Sequence, residues 1–269
     1  MKKICQDLRD EYEELDNLVT SIRDEEWQTI TPFYDWTIYD EICHIAYFDN
    51  NALLATSNRN DFRKHVITLM EIIADDPRAV DLHKRVFEKT YTVEELIAFW
   101  RNKRNLLLKR LESSGVKDRF PWYGPDMSAL SFATARIMEV WAHGQDVFDA
   151  LKIKRVNTDR IKHIAHLGVT TFGWSFLNRN LELPNVPIRV ELYSPSGQFW
   201  SWGPSDAMEN ISGAAEEFCL VVTQRRNVND TKLNCTGDVV KQWMEIAQCF
   251  AGPPANAPNR DQRVLNYAA

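Results

Sequence analysis

Across the first 150 residues, apolar side chains recur at helical spacing in successive segments, each opened by a capping signal or closed by a breaker, which commits this half to packed helices. Ile4, Leu8, Leu15, Leu18, Val19 and Ile22 mark an amphipathic first helix with acidic residues between them. The stretch WQTITPFYDW interrupts it. Thr37 followed by Asp40 resembles a capping box and opens a second helix through about Leu54. A third helix is expected over 61–75, ending before Asp76-Pro77. Thr92 with Glu95 is a full capping box for a fourth, stopped at Ser113-Ser114-Gly115. Ser128 can cap a long helix through Ala150. Together these segments predict an up-and-down helical bundle.

The pattern changes beyond about residue 180. Val186–Tyr193 alternates, Ser194-Pro195-Ser196-Gly197 signals a turn, and Gln198–Trp202 is aromatic, as in a β-hairpin. Helices are expected at about 211–225 and 237–250, before the Pro/Asn-rich tail GPPANAPNRDQR. The expected organisation is a helical bundle over 1–155 and a smaller α+β domain over 156–269, a mainly α chain. No internal repeat is evident.

With 44% apolar and 26% charged residues, the 269-residue chain has the composition of a folded protein rather than a disordered one. No apolar run approaches the roughly 20 residues that span a bilayer, and the first residues turn acidic where a signal peptide would be apolar. The expectation is a cytoplasmic protein without a membrane partner. A net charge of −6 supplies no basic stripe, so nucleic acid is not an expected partner. The five cysteines, Cys5, Cys43, Cys219, Cys235 and Cys249, are odd in number and contain no C-x-x-C, which points to reduced core residues. A small-molecule substrate is the expected ligand, and a homodimer stays open.

Glu139 and His143 lie four apart in RIMEVWAHGQDV, so on a helix they stand about 40° apart on one face and can reach one metal ion. His44, in DEICHIAYFD, is the natural third donor because it lies within a capped helix. Two imidazoles and a carboxylate form a three-ligand set for Zn²⁺ with a fourth position open. Taken alone, Glu139 also reads as a solvated helix face and His143 as a partly buried residue near the Gly144 interruption. Asp40, Asp146 and Asp149 read as ligands, as partners of the imidazoles or as exposed carboxylates. Cys43 diverges from His44 by about 100° on a helix and reads as core. His163 and His166, three apart, read as a helix surface.

Trp27, Pro32, Trp36-Thr37-Ile38-x-Asp40 and His44-Ile45-Ala46-x-x-Asp49 resemble the start of the DinB-like superfamily, in its mycothiol-dependent maleylpyruvate isomerase branch. The resemblance continues in Glu139-x-Trp141-Ala142-His143-Gly144-x-Asp146-Val147-x-Asp149-Ala150-Leu151. It extends more loosely to Trp200-x-Trp202-Gly203-Pro204, Ile211-x-Gly213-Ala214-Ala215-Glu216 and Gly237-Asp238. It implies a four-helix bundle holding a divalent metal, usually zinc, through His44, Glu139 and His143. It also implies a low-molecular-weight thiol bound at the open position as its thiolate, the nucleophilic form, for isomerisation or S-transfer on an electrophilic small molecule. An arginine of the C-terminal half would bind a substrate carboxylate, and Arg225 and Arg226 sit near the matching place, where a helix C-terminus also favours cations.

The chain is fairly rich in Lys, Asn and Ile, unlike the Ala/Arg/Gly-heavy proteins of mycothiol-producing bacteria, which leaves the identity of the thiol open. Two alternatives stand beside the thiol-dependent enzyme. One is a hydrolase or acid–base enzyme using metal-bound water. The other is a non-catalytic metal-binding or stress protein, for which a protein side chain in the fourth position would be the sign. Trp122, Tyr123, Phe172, Trp174, Phe199, Trp200 and Trp202 are candidates for an apolar pocket or for core.

Overall fold

The computed structural model describes residues 1–75 and 91–263, and these divide into two compact units, Met1–Leu151 and Lys152 onward. The first unit contains α1 (Lys2–Ser21), a 3-10 turn (Asp24–Gln28), α2 (Ile38–Ser57), α3 (Arg59–Asp75), α4 (Val93–Glu112) and α5 (Ala129–Ala150). A two-stranded antiparallel pair, β1 (Arg119–Phe120) and β2 (Met127–Ser128), precedes α5. The expected end of α3 at Asp76-Pro77 lies outside the described residues.

The local start signals act as read. Thr37 Oγ1 accepts from Asp40 N while Asp40 Oδ2 accepts from Thr37 N, a closed capping box on α2. Thr92 and Glu95 repeat it on α4, and Ser128 Oγ accepts from Ser131 N at the head of α5. Ser113 closes α4, its N–H donating to the Lys109 and Leu111 carbonyls.

Helix α2 packs on α4 and α5, while α1 packs on α5 and α4, so the four long helices run round the bundle in the order α1, α4, α2, α5. Consecutive helices α1 and α2 therefore face one another across the diagonal, as do α4 and α5. Helix α3 packs on α2 outside this ring. Leu8, Leu15, Ile38, Ile42, Trp100, Leu107, Ile137 and Trp141 fill the interior.

One buried carboxylate ties all four helices. Asp49 of α2 is fully buried; its Oδ1 accepts from the Tyr12 hydroxyl of α1 at 2.6 Å and from Arg136 Nε of α5 at 3.0 Å, and its Oδ2 accepts from Trp100 Nε1 of α4 at 3.0 Å. Burial pulls the Arg136 pKa down, but the Asp49 charge, with Tyr12 and Glu139, more than offsets it and holds the guanidinium above its ordinary value. A second ion pair links α1 to α4 through Asp16, Arg101 and Arg104, with Arg104 also 4.3 Å from the Trp100 ring centroid.

The second unit contains α6 (Lys162–Thr170), α7 (Phe172–Leu177), β3 (Ile188–Tyr193), β4 (Phe199–Trp202), β5 (Glu209–Ala214), α8 (Ala215–Val222), β6 (Asn234–Thr236) and α9 (Asp238–Ile246). Its sheet runs β4-β3-β5-β6, with β3 and β4 forming the expected hairpin. Gly203, at φ +81°, ends β4 where a Cβ would lie 1.9 Å from the Ile188 carbonyl oxygen, so a side chain is excluded there. Val190, Leu192, Trp200 and Ile211 are buried, as are Phe176, Phe218, Val222 and Trp243 of the surrounding helices.

Two expected helices are shorter than read. Residues 211–214 are not helical but belong to β5, which pairs in parallel with β3 from Ile188↔Glu209 to Tyr193↔Ala214. Ile211-Ser212-Gly213 has little helix preference, and a neighbouring strand satisfies its backbone instead. The last helix ends at Ile246, where Ala247 turns extended (ψ 133°).

Removing the Asp49 carboxylate leaves Arg136 charged and buried without its main partner. Asp49→Ala is expected to destabilise the protein by about 3–5 kcal/mol in equilibrium urea unfolding, because breaking a buried ion pair costs far more than an exposed one.

Candidate metal centre

Helix α2 reaches His44 two turns after its capped start, and α5 presents Glu139 and His143 one turn apart near its middle. The packing of α2 on α5 brings the three together. Glu139 Oε2 lies 3.6 Å from His44 Nε2 and 3.4 Å from His143 Nε2, and the imidazole centroids are 4.3 Å apart. Ligands at about 2.05 Å from a tetrahedral zinc ion are separated by about 3.4 Å, so these donors have the spacing of a shared ion. Ligand atoms of all three residues fall within 4.8 Å of one another. The side chains of Glu139 and His44 retain 25% and 16% exposure against 5% for His143, so the group opens to solvent on the Glu139–His44 side.

Burial raises the Glu139 pKa, but the two imidazoles beside it, His143 and His44, outweigh it and hold the carboxyl well below its usual range. Glu139 is thereby kept anionic, as a ligand must be.

A second acid belongs to the group. Glu41, one turn before His44 on α2 and wholly buried, places Oε2 at 2.7 Å from His143 Nδ1, and its Oε1 accepts from the Thr31 hydroxyl at 2.8 Å. Burial pushes the Glu41 carboxyl up, the Asp146 charge adds to this, and the His143 hydrogen bond opposes it. Glu41, His143 and Asp146 form a second close group of donor atoms, fully buried. The sequence motifs do not mark Glu41 as a donor. The available signal was an acid three residues before His44, on the same helix face, flanked by the buried Ile38, Ile42 and Ile45.

Aromatic rings wall the imidazoles. The Trp36 ring lies nearly parallel to that of His143 (10°, centroids 6.0 Å) and 5.2 Å from that of His44; Phe33 meets His143 edge-on at 5.2 Å, and Phe48 lies 4.7 Å from His44. Phe48 continues into a cluster with Trp122 and Tyr123, and Trp122 stacks on Phe62. Phe33 and Trp36 come from the interrupting segment, a tight hairpin closed by Thr31 N to Trp36 O (2.6 Å) and Trp36 N to Phe33 O (3.0 Å).

The remaining candidates have other places. Asp40 is the cap of α2, Asp149 accepts from Gln145 Nε2, and Cys43 is buried in the bundle. All five cysteines are thiols rather than disulfides. His163 is half-buried and His166 exposed on α6. Arg225 and Arg226 follow α8, where both backbone N–H groups donate to the Leu220 carbonyl; both are buried, and their Nη1 atoms donate to the Thr223 and Arg225 carbonyls. They are not the solvated helix end that their sequence also allows. In the second unit Trp200 is buried beneath Lys162, Phe172 packs on Trp243, and Trp174 and Phe199 are exposed. No described helix is long and apolar enough to cross a membrane.

Because Asp40 is bound up in the cap, Asp40→Ala is expected to cost about 1 kcal/mol of stability in chemical unfolding while leaving bound divalent metal at the wild-type stoichiometry. Loss of metal in this variant would return Asp40 to the ligand set.

The chain is 42% identical over 248 residues to uncharacterized proteins of two Mycobacterium tuberculosis strains, covering 92% of this chain and 95% of each relative. Its fold matches the crystal structure of the mycothiol-dependent maleylpyruvate isomerase with a TM-score of 0.53 at 15% identity, over 83% of this chain and 89% of that one. A histidine-to-alanine mutant of that enzyme matches with a TM-score of 0.54 at 13% identity. Residues 8–148 match the mycothiol maleylpyruvate isomerase N-terminal domain, and the chain belongs to that family.

Proposed function

We propose that this protein is a metal-dependent enzyme of the maleylpyruvate isomerase type, acting on an electrophilic small molecule with the help of a low-molecular-weight thiol. The observation that carries this reading is the donor geometry: two imidazole Nε2 atoms at 3.4 and 3.6 Å from one carboxylate oxygen, open to solvent on one side. His44, Glu139 and His143 would hold a divalent cation, zinc by the chemistry of the set, and the cation would supply a Lewis-acidic position that stabilises a thiolate at neutral pH.

The chain's own residues do the rest. Glu139 stays ionised, and Trp36, Phe33 and Phe48 pack round the imidazoles and limit water on that side. The same apolar walls suit a substrate with a hydrophobic or conjugated body. Arg225 and Arg226 are the proposed carboxylate-binding residues, supported by the C-terminal resemblance and by the forked geometry of a guanidinium. The reaction class is cis–trans isomerisation or S-transfer, and mycothiol is the first thiol to test because it is named for the matched enzyme.

Elemental analysis of wild type, His44→Ala and Glu139→Ala, followed by titration of the zinc-loaded wild type with mycothiol, bacillithiol and glutathione, tests this reading. Stoichiometric zinc in wild type only, with one thiol binding, is the expected result. Full zinc content in either variant overturns the ligand set. Zinc without thiol binding overturns the thiol dependence and leaves the hydrolytic use of metal-bound water as the account of the site.

A further inference from the structure

We propose that Glu41 is a positioning residue that fixes the tautomer and ring orientation of His143 for metal binding, and that Thr31 locks Glu41 in that role. The inference rests on the reading of His44, Glu139 and His143 as a metal centre and names what holds its most buried ligand in place.

An imidazole that gives one nitrogen to a cation must carry its proton on the other, and the acceptor at that second nitrogen decides which is which. Glu41 Oε2 stands 2.7 Å from His143 Nδ1, while His143 Nε2 faces Glu139 Oε2. The proton is thus placed on Nδ1 and the lone pair on Nε2, toward the other two donors. Glu41 has no exposure, and burying a carboxylate costs several kcal/mol unless its oxygens are satisfied. Its two oxygens meet His143 and Thr31, and Thr31 is itself 2% exposed. The capping of α2 does not account for Glu41, because Asp40 does that work from the adjacent position.

The alternative use of the same atoms is a metal ion shared by Glu41, His143 and Asp146. The distance argues against it. Two ligands of one tetrahedral zinc ion stand about 3.4 Å apart, whereas 2.7 Å is a direct charge-assisted hydrogen bond. The Glu139 separations of 3.4 and 3.6 Å have the ligand spacing, and the Glu41 separation does not.

Thr31 also joins the site to the hairpin above it. The turn places Tyr34 at φ 49° and Asp35 at φ 56°, the left-handed region that a tyrosine rarely adopts, with Ile30 bridged to Thr37 and Ile38 N donating to Thr29 O. Such a turn persists where the surroundings over-determine it. Here the surroundings are Thr31 on Glu41 and the Phe33 and Trp36 rings on the ligand imidazoles.

The test measures zinc affinity by chelator competition, and the visible spectrum of the Co²⁺-substituted protein, for wild type, Glu41→Ala, Glu41→Gln, Thr31→Val and His44→Ala, with thermal unfolding as the folding control. Glu41→Ala is expected to weaken zinc binding by about 10- to 100-fold and to shift the Co²⁺ bands, with Glu41→Gln losing less because its amide oxygen still accepts from Nδ1–H. Thr31→Val, nearly isosteric, is expected to weaken binding by about 3- to 10-fold, and carries the test should Glu41→Ala fail to fold. Zinc affinity and Co²⁺ bands within about twofold of wild type in the folded Glu41 variants, with lowered melting temperature alone, overturn the positioning role while His44→Ala still reports on the metal centre. Zinc that survives His44→Ala but not Glu41→Ala overturns both readings and puts the ion in the Glu41–His143–Asp146 group.

Discussion

The bundle is organised around the buried carboxylate of Asp49, which receives hydrogen bonds from α1, α4 and α5 while belonging to α2. Apolar packing alone tolerates small slips of one helix along another, because Leu, Ile and Val surfaces are interchangeable at modest cost. A buried anion does not tolerate them, since each lost donor leaves charge unsatisfied in a low-dielectric interior. Asp49 lies five residues after His44, and Arg136 lies three before Glu139, so the contact that sets the register of α2 against α5 sits beside the candidate ligands it brings into range.

From that register follows an asymmetry among three acids. Glu139 faces both imidazoles at ligand spacing and is kept ionised; Glu41 faces the back of one imidazole at hydrogen-bond distance, and burial pushes its pKa the other way. Environments that drive neighbouring carboxyls apart are how a site divides roles among chemically similar groups. Asp40, adjacent to Glu41, is spent on the helix cap. Of three acids on the two interacting helices, Asp40 is thus the cap, while Glu139 and Glu41 take the proposed parts of ligand and orienter.

What the sequence made legible was local. The boxes at Thr37 and Thr92 and the cap at Ser128 span only three residues, so the pattern contains everything the structure uses. His44, Glu139 and His143 stand out in the sequence because two separated motifs agree, one of them with helical i, i+4 spacing, and the structure brings the three together. Glu41 escaped because its meaning depends on His143, 102 residues away, and on Thr31 in an irregular segment. Strand β5 escaped for a similar reason: Glu209–Ala214 has no strong period of its own and is defined by pairing with β3 on one side and β6 on the other. The order of helices round the bundle, with α1 and α2 diagonal, is likewise a property of the long connections rather than of any helix.

The proposed centre is a cation held by nitrogen and oxygen donors from this chain with one position free for sulfur from a thiol. Zinc-edge X-ray absorption on the loaded protein, before and after adding the thiol, reads those donors directly. The expected result is only nitrogen and oxygen scatterers at about 2.0–2.1 Å at rest, with imidazole signatures, and a new sulfur scatterer at about 2.3 Å once the thiol is present. A sulfur neighbour in the resting protein, or an unchanged shell with every thiol tried, would contradict it.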